Sequence, residues 1–343
     1  MATENPRPKL TQSSTSLMAS NDELVKYYSQ MLLIRRFEER VGQLYGMGLI
    51  GGFLHLYVGQ EAVVVGVENA ISRQDPMITS YRCHGHMLAR GEEIGKILLE
   101  LAGKASGSSK GKGGSMHMFS PENGFYGGHG IVGAQVPIGT GIALSLKYRR
   151  LSNVCFTFFG DGAANQGQVY ESYNMAALWN LPIVYIIENN QYGMGTSTAR
   201  AAAQTEFFRH GEGLGIPGIQ CDGMNVLAVR DSALEAASFV RAGNGPMIVE
   251  MNTYRYRGHS ISDPAKYRPK EEVKEVRETR DPITQLEQLI SERGILKAEN
   301  LKEIDQKIRL DVRNAAELAQ EAEQPATSEL YTDVSATRAT PNG

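Results

Sequence analysis

Between residues 136 and 251 short, β-rich apolar runs alternate with helix-like segments, and this alternation restricts the fold more than any other feature of the chain. Residues 154–159, 183–187 and 247–251 read as buried strands, each bounded by Gly, Asn or Asp; 136–148, 168–179 and 232–242 read as helices. In the first of these helices Gly139, Gly141, Ala143 and Ser145 would allow close packing. Continuously apolar strands separated by helices predict an α/β fold, a parallel sheet covered by helices on both faces.

Upstream, Ser20-x-x-Glu23 has the form of a capping box ahead of an amphipathic helix over 21–46. A Gly-rich break, a helix over 60–71, an apolar segment ending in Tyr81-Arg82 and a helix over 92–102 follow. Residues 103–133 are rich in glycine and poor in periodicity, which predicts a functional loop. Asp281-Pro282 is a good N-cap and first-turn pair, and the chain beyond it reads as helical to about residue 323. With 343 residues, 41% of them apolar, two domains of roughly 100–200 residues would be possible, but no interdomain linker is found. The expected organisation is a disordered arm over 1–19, one α/β domain with helical N- and C-terminal extensions over 20–323, and a flexible tail over 324–343.

A net charge of -3 gives no reason to expect nucleic acid, whose binding calls for a clustered positive excess. Cys83, Cys155 and Cys221 are widely spaced and form no CxxC pair, so neither a disulfide framework nor a structural zinc site is indicated, and a reducing interior suits them. No apolar run approaches the roughly 18 residues of a membrane span, and the first 20 residues lack the apolar stretch of a secretory signal. That start is also a poor mitochondrial presequence, so a bacterial cytoplasm is expected over a mitochondrial matrix.

The chemistry is concentrated in Gly160-Asp161-Gly162 and, 29 positions after Asp161, Asn190 in Glu-Asn-Asn-Gln-Tyr-Gly. Each motif ends an apolar strand. In a right-handed strand–helix–strand unit both strands run the same way, so Asp161 and Asn190 should emerge together at the carboxyl edge, where open α/β sheets bind ligands. A carboxylate, an amide oxygen and a nearby carbonyl such as that of Tyr192 form a hard oxygen set suited to Mg²⁺, which takes its remaining ligands from phosphates and water. A helix beginning after Gly162 would aim its N-terminus at the same anion. Either motif alone reads as an ordinary turn or cap; at strand ends and this spacing they point together to a metal-bound diphosphate. Gly160-x-Gly162 lacks the third glycine of a dinucleotide fingerprint, and Gly162-x4-Gly167 lacks the lysine of a P-loop.

These two motifs match the thiamine diphosphate fingerprint. From about residue 21 to 320 the chain resembles the α subunits of pyruvate dehydrogenase E1 components. The likeness is carried by Gly52-Phe-Leu-His-Leu-Tyr, Tyr81-Arg82-Cys-His-Gly, Lys110-Gly-Lys-Gly-Gly-Ser-Met-His-Met, Gly130-Ile-Val-Gly-Ala-Gln-Val-Pro, Tyr173-Asn-Met-Ala-Ala-Leu-Trp and Tyr254-Arg-Tyr-Arg-Gly-His-Ser-Ile-Ser-Asp-Pro. The resemblance implies the thiamine diphosphate-binding fold, with Asp161, Asn190 and the Tyr192 carbonyl holding Mg²⁺. It places Tyr81, Arg82, Gly162, Ala163 and His259 at the diphosphate, Gly130 and Val132 beside the aminopyrimidine, and His55 at the substrate. Arg82 would supply permanently charged, planar donors, and His55 and His259 can exchange protons near neutral pH. The implied reaction is oxidative decarboxylation of pyruvate, with the acetyl group passed to the lipoyl domain of the E2 dihydrolipoamide acetyltransferase; branched-chain 2-oxo acids or acetoin are the alternative substrates.

Family chemistry also needs a glutamate at the aminopyrimidine, carried on a second α/β domain. This chain has one such domain. Glu61 stands where a helix opens, a position that attracts carboxylates for the dipole alone. The glutamate should therefore come from an E1 β subunit, giving an α2β2 heterotetramer. His84-Gly-His86 has the alternation that would put two ligands on one strand face, yet no third ligand accompanies it. His117 and His129 fall in the Gly-rich region at the expected entrance, and His210 reads as a polar side chain facing solvent. Lys104, Lys110 and Lys112 suit either a phosphate cradle or a solvated loop. The segment 255–268, carrying Arg255, Arg257, His259 and Arg268, reads as a loop that orders on cofactor binding. Ser260 matches a serine phosphorylated in regulated relatives, whereas Lys266 replaces a second such serine.

Overall fold

A computed structural model describes residues 19–335; the beginning of the expected N-terminal arm and the end of the expected tail lie outside the described residues. The strands are β1 (Met77–Ser80), β2 (Phe125–His129), β3 (Cys155–Gly160), β4 (Ile183–Asn189), β5 (Tyr192–Gly193), β6 (Thr196–Ser197), β7 (Gly218–Asp222) and β8 (Met247–Asn252). The helices are α1 (Asn21–Gly46), α2 (Glu61–Glu68), α3 (His84–Ala89), α4 (Ile94–Leu101), α5 (Gln135–Tyr148), α6 (Gly167–Leu178), α7 (Thr198–Ala201), α8 (Val226–Arg241), α9 (Lys270–Arg280), α10 (Pro282–Glu292) and α11 (Ala298–Glu321).

Six strands form one parallel sheet in the order β2-β1-β3-β4-β8-β7, as the alternation predicts, and β5 and β6 make a small antiparallel pair beyond β4. Side chains alternate across the sheet with period two. Phe156, Phe158, Val184, Ile186, Met247, Val249 and Met251 join the core that also contains residues of α1, α2, α4, α8, α10 and α11. Cys155, Phe159, Ile183, Tyr185, Ile187 and Ile248 join the core shared with α5 and α6. Burying each large apolar side chain contributes roughly 1.5–3 kcal/mol, so both faces oppose any slip in register. On one face α5 lies so close to β3 that a Cβ at Gly139 would collide with the Thr157 side chain.

The capping box forms as expected: Ser20 Oγ accepts from the Glu23 N–H at 3.3 Å and Glu23 returns the bond to the Ser20 N–H at 2.8 Å. Asp281 caps α10 through the N–H groups of Ile283 and Thr284, with Pro282 in the first turn. It also ties α10 to α1, since Arg35 donates to Asp281 at 3.0 Å and to Glu61 at 2.6 Å, all three side chains being buried.

Two expectations are corrected, and one strand was not read from the sequence. The Gly-rich stretch 103–133 is not loop throughout, because Phe125–His129 forms the edge strand β2 on β1. The other edge strand, β7, pairs with β8 and also escapes the apolar pattern. His84 and His86 lie on helix α3, not a strand, where Gly85 packs against the Tyr57 ring.

Candidate functional site

Connections leave β1 and β3 in opposite directions: the next strand after β1 lies on one side, the next after β3 on the other. A crevice opens at the carboxyl ends of such neighbours. Here it is a cavity of about 240 Å³ lined by Ser80, Tyr81 and Arg82 after β1, Gly160–Ala163 after β3, Glu188, Asn190 and Tyr192–Met194 around the end of β4, and Arg255 and His259 after β8. Val132, Gly133, Gln135 and Gln60 complete the wall.

Nine of the residues expected from sequence therefore meet in one place: Tyr81, Arg82, Val132, Asp161, Gly162, Ala163, Asn190, Tyr192 and His259. His55 lies behind the wall, its ring 4.4 Å from that of Tyr81 and 5.2 Å from that of His259. Gly130 is outside the lining; it abuts His117, whose Nε2 a Cβ at this position would approach to 2.9 Å.

Asp161 and Asn190 hang from adjacent strands because β3 and β4 pair in register, Gly160 beside Glu188. Asp161 is 2% exposed and its Oδ1 has no partner among the described residues. Burial pushes its carboxyl up to about 6, against the lowering effects of its own backbone N–H and of Arg255. Asn190 is oriented by Gln60, which accepts from its Nδ2 at 2.8 Å, leaving the amide oxygen 3.4 Å from the Tyr192 N–H. The Tyr192 carbonyl faces a cation in the form of Arg255 Nη1 at 3.2 Å. Gly162 and Gly193 meet backbone to backbone, a Cβ on either lying 3.1 Å from the other's Cα, so the two motifs close around the same point. An orphaned carboxylate oxygen, an amide oxygen and a carbonyl are the hard donors a small divalent cation takes, and the residues fit one.

Two guanidiniums face the same space. Arg82 donates to the carbonyls of Leu56 at 2.6 Å and His259 at 2.9 Å; Arg255 donates to the carbonyls of Arg257, Tyr192 and Met194 and to the Tyr267 hydroxyl. Among the described residues neither forms an ion pair, and both are buried. Burial, with help from Arg255, lowers Arg82 to about 10, so it stays charged at neutral pH. Buried cations without counterions are costly, and a polyanion in the cavity would offset the cost. The same field, after burial itself, holds His55 down to about 3 and His259 to about 4; both rings are neutral at neutral pH, each with an unpartnered Nδ1.

The helix expected over 168–179 is α6, and its N-terminus does not abut Gly162. A 3₁₀ turn over Ala163–Asn165 intervenes, and Gln166 is extended at ψ 137°, so α6 begins at Gly167. The loop expected to order with cofactor is already folded by its own bonds: Asp263 accepts from the His259 N–H at 2.6 Å and the Tyr267 hydroxyl at 2.8 Å, and Arg268 donates to the carbonyls of Arg255 and Arg257.

Sequence reasoning missed Gln60 and Glu188. Glu188 is a buried carboxyl bonded to the Tyr57 hydroxyl and pushed up to about 7 by burial; its only signal was an acid ending an otherwise apolar strand. Glu61 lies outside the cavity lining, bound to Arg35 and the Gly59 N–H. His84 bridges Glu38 and Ser115, while His86 is buried among the rings of Tyr57, Phe125 and Phe158. Among the described residues no three His, Cys, Asp or Glu side chains form a metal cluster. Lys110 and Lys112 pair with Asp333, and Lys112 with Glu329.

Fold and site together define an α/β protein with a cavity at the topological switch of a parallel sheet, lined by two buried guanidiniums and a buried carboxylate. The family model described as dehydrogenase E1 component matches residues 29–328. The chain is 58% identical to the pyruvate dehydrogenase E1 component subunit alpha of Rhizobium meliloti, covering 92% of this chain and 90% of that one. Its identity to the proteins of the same name is 56% in Zymomonas mobilis, over 92% and 89%, and 55% in Rickettsia bellii, over 91% and 96%. The chain belongs to the dehydrogenase E1 component family.

Proposed function

We propose that this chain is the α subunit of a pyruvate dehydrogenase E1 component, binding the diphosphate of thiamine diphosphate through Mg²⁺. The observation that carries the reading is the meeting of Asp161 and Asn190 at adjoining strand tips, with an orphaned carboxylate oxygen facing two unpaired guanidiniums. Asp161, Asn190 and the Tyr192 carbonyl would hold the cation; Arg82, Gly162, Ala163, Tyr81 and His259 would face the phosphates; Gly130 and Val132 would lie along the aminopyrimidine. When bound, the cofactor supplies a thiazolium carbon that adds to a carbonyl and accepts the electrons released by decarboxylation.

The protein's own share is to hold and orient. Arg82 is locked by two carbonyls, so its remaining N–H groups are pre-aimed at an oxyanion. His55 and His259, neutral and with free Nδ1 atoms, can accept or return a proton beside the substrate. In the overall reaction pyruvate loses CO₂, and the two electrons released reduce a lipoyl disulfide on E2 as the acetyl group moves to one of its sulfurs. Pyruvate is preferred to branched-chain 2-oxo acids or acetoin because the relatives above carry its name.

An E1 β subunit completes the site in an α2β2 assembly. Supporting this, Val132 and Met194 line the cavity yet are 41% and 65% exposed, and the neighbouring Ile131 is 75% exposed, an apolar mouth suited to a partner chain. No helix among the described residues is long and apolar enough to cross a membrane. The proposed compartment is a bacterial cytoplasm, consistent with three free thiols and the bacterial relatives.

The test is acetyl transfer to a lipoyl domain, measured for the α chain with and without the β subunit, on pyruvate and on 3-methyl-2-oxobutanoate. Turnover only by the pair, and faster on pyruvate, is expected. Turnover by the α chain alone would overturn the shared site, and a preference for the branched acid would overturn the substrate.

A further inference from the structure

The Gly-rich segment at 107–114 contains a second built feature. Glu100, the last turn of α4, is fully buried, and its carboxylate accepts from four backbone N–H groups of that segment: Ser109 at 2.7 Å and Gly111 at 2.8 Å on one oxygen, Gly113 at 2.7 Å and Gly114 at 3.1 Å on the other. Converging backbone N–H groups make an anion-binding nest. Here the anion is a side chain of the protein itself, and the nearby Lys110 and Lys112 pair instead with Asp333 and Glu329.

The nest leads directly to the cofactor cavity. Ser115, next in the chain, is bound by His84, which is bound in turn by Glu38 of α1. The Met118 carbonyl accepts from the Gly128 N–H of β2 at 3.1 Å, and His117 rests against Gly130, two residues before the cavity residue Val132.

We propose that Glu100 is a positioning residue, the internal anion that folds segment 107–114 and so fixes His117 and the 130–133 turn at the edge of the cofactor cavity. Its effect on turnover rests on the function proposed above; its effect on the loop does not. Lys110 and Lys112 place tryptic sites inside the segment. In Glu100→Gln the charge is lost, and an amide N–H must face backbone donors. Charge-assisted bonds of this kind are each worth about 1.5–3 kcal/mol, so cleavage of the full-length chain at Lys110 and Lys112 should accelerate about ten- to a hundredfold. Formate should slow cleavage of Glu100→Ala by refilling the nest, and Glu100→Asp, which keeps the charge, should be cut more slowly than Glu100→Gln. The formate comparison on Glu100→Ala decides the matter even if Glu100→Gln fails to fold. In the assembled enzyme kcat should fall with little change in the KM for pyruvate. Wild-type cleavage rates in Glu100→Gln, or no formate effect on Glu100→Ala, would overturn the anchor; faster cleavage with unchanged kcat would overturn the positioning role. A wild-type enzyme that binds no thiamine diphosphate would defeat the proposed function and leave the cleavage result to decide the anchor.

Discussion

Replacing Asp161 by Asn should make the cofactor-free chain more stable and abolish the further stabilisation that cofactor gives the wild type. Buried Asp161 ionises at about 6 in the folded chain, against 3.8 for an ordinary aspartate. The folded state thus holds the proton more tightly than the unfolded state, and stability falls as pH rises through the interval between those values. Two units correspond to about 3 kcal/mol, absent below pH about 4 and fully present above about 6. For a chain of 343 residues the unfolding entropy is about 0.7 kcal/mol per kelvin, so the substitution should raise Tm by about 4 °C at pH 7.5 and leave it unchanged at pH 4. Mg²⁺ with thiamine diphosphate at about 100 times Kd should add about 2.7 kcal/mol, again about 4 °C, to the wild type only. Differential scanning calorimetry across pH, with and without cofactor, reads both effects. Equal Tm values for the two proteins from pH 4 to 8, or an equal cofactor shift, would refute the assignment of Asp161 as a strained ligand.

Four further expectations follow from the same geometry. Arg82→Lys keeps a charge but cannot bond both Leu56 and His259 carbonyls while facing an anion, so calorimetric affinity for thiamine diphosphate should fall about ten- to a hundredfold; unchanged affinity would remove Arg82 from the site. His55 and His259, held down to about 3 and 4, should show no ring protonation by NMR above pH 5 in the free chain, and because the unfolded rings protonate near 6.5 they subtract stability as pH falls below that value. Glu61→Gln should cost about 1–3 kcal/mol in denaturant unfolding by removing one of the two carboxylates on Arg35, the other being Asp281, yet leave cofactor affinity within about twofold, which a catalytic Glu61 would not. Cys83 and Cys155, fully buried and pushed up to about 12, should resist a thiol reagent until the chain unfolds; rapid native labelling of either would contradict their placement.

What could be read from the text followed from how much each element buries. β3, β4 and β8 lie inside the sheet, so helices press on both faces and most positions are apolar, buried Thr157 and Glu250 being the exceptions within the runs; the runs and their polar terminators are plain in the sequence. β2, Phe-Tyr-Gly-Gly-His, and β7, Gly-Ile-Gln-Cys-Asp, are edge strands with one neighbour each, and their partly exposed residues carry no such signature. Asp161 and Asn190 could be placed together because parallel strands force it, whereas Gln60 and Arg255 converge through loops whose paths no periodicity encodes. Glu100 was hidden for another reason: a glutamate in the last turn of a helix reads as solvated, and only the folded segment shows four N–H groups turned toward it.

The in-register pairing of β3 with β4 carries a lesson for anyone altering this chain. Because the two strand tips are welded side by side by ladder bonds, the span between α6 and β4 can be lengthened or shortened without separating aspartate from asparagine. One residue added inside β3 would instead turn over the faces of everything on one side of the insertion and misalign the tip with its neighbour. Tolerance to engineering should therefore be high in the crossover and close to nil in the six residues that precede Asp161.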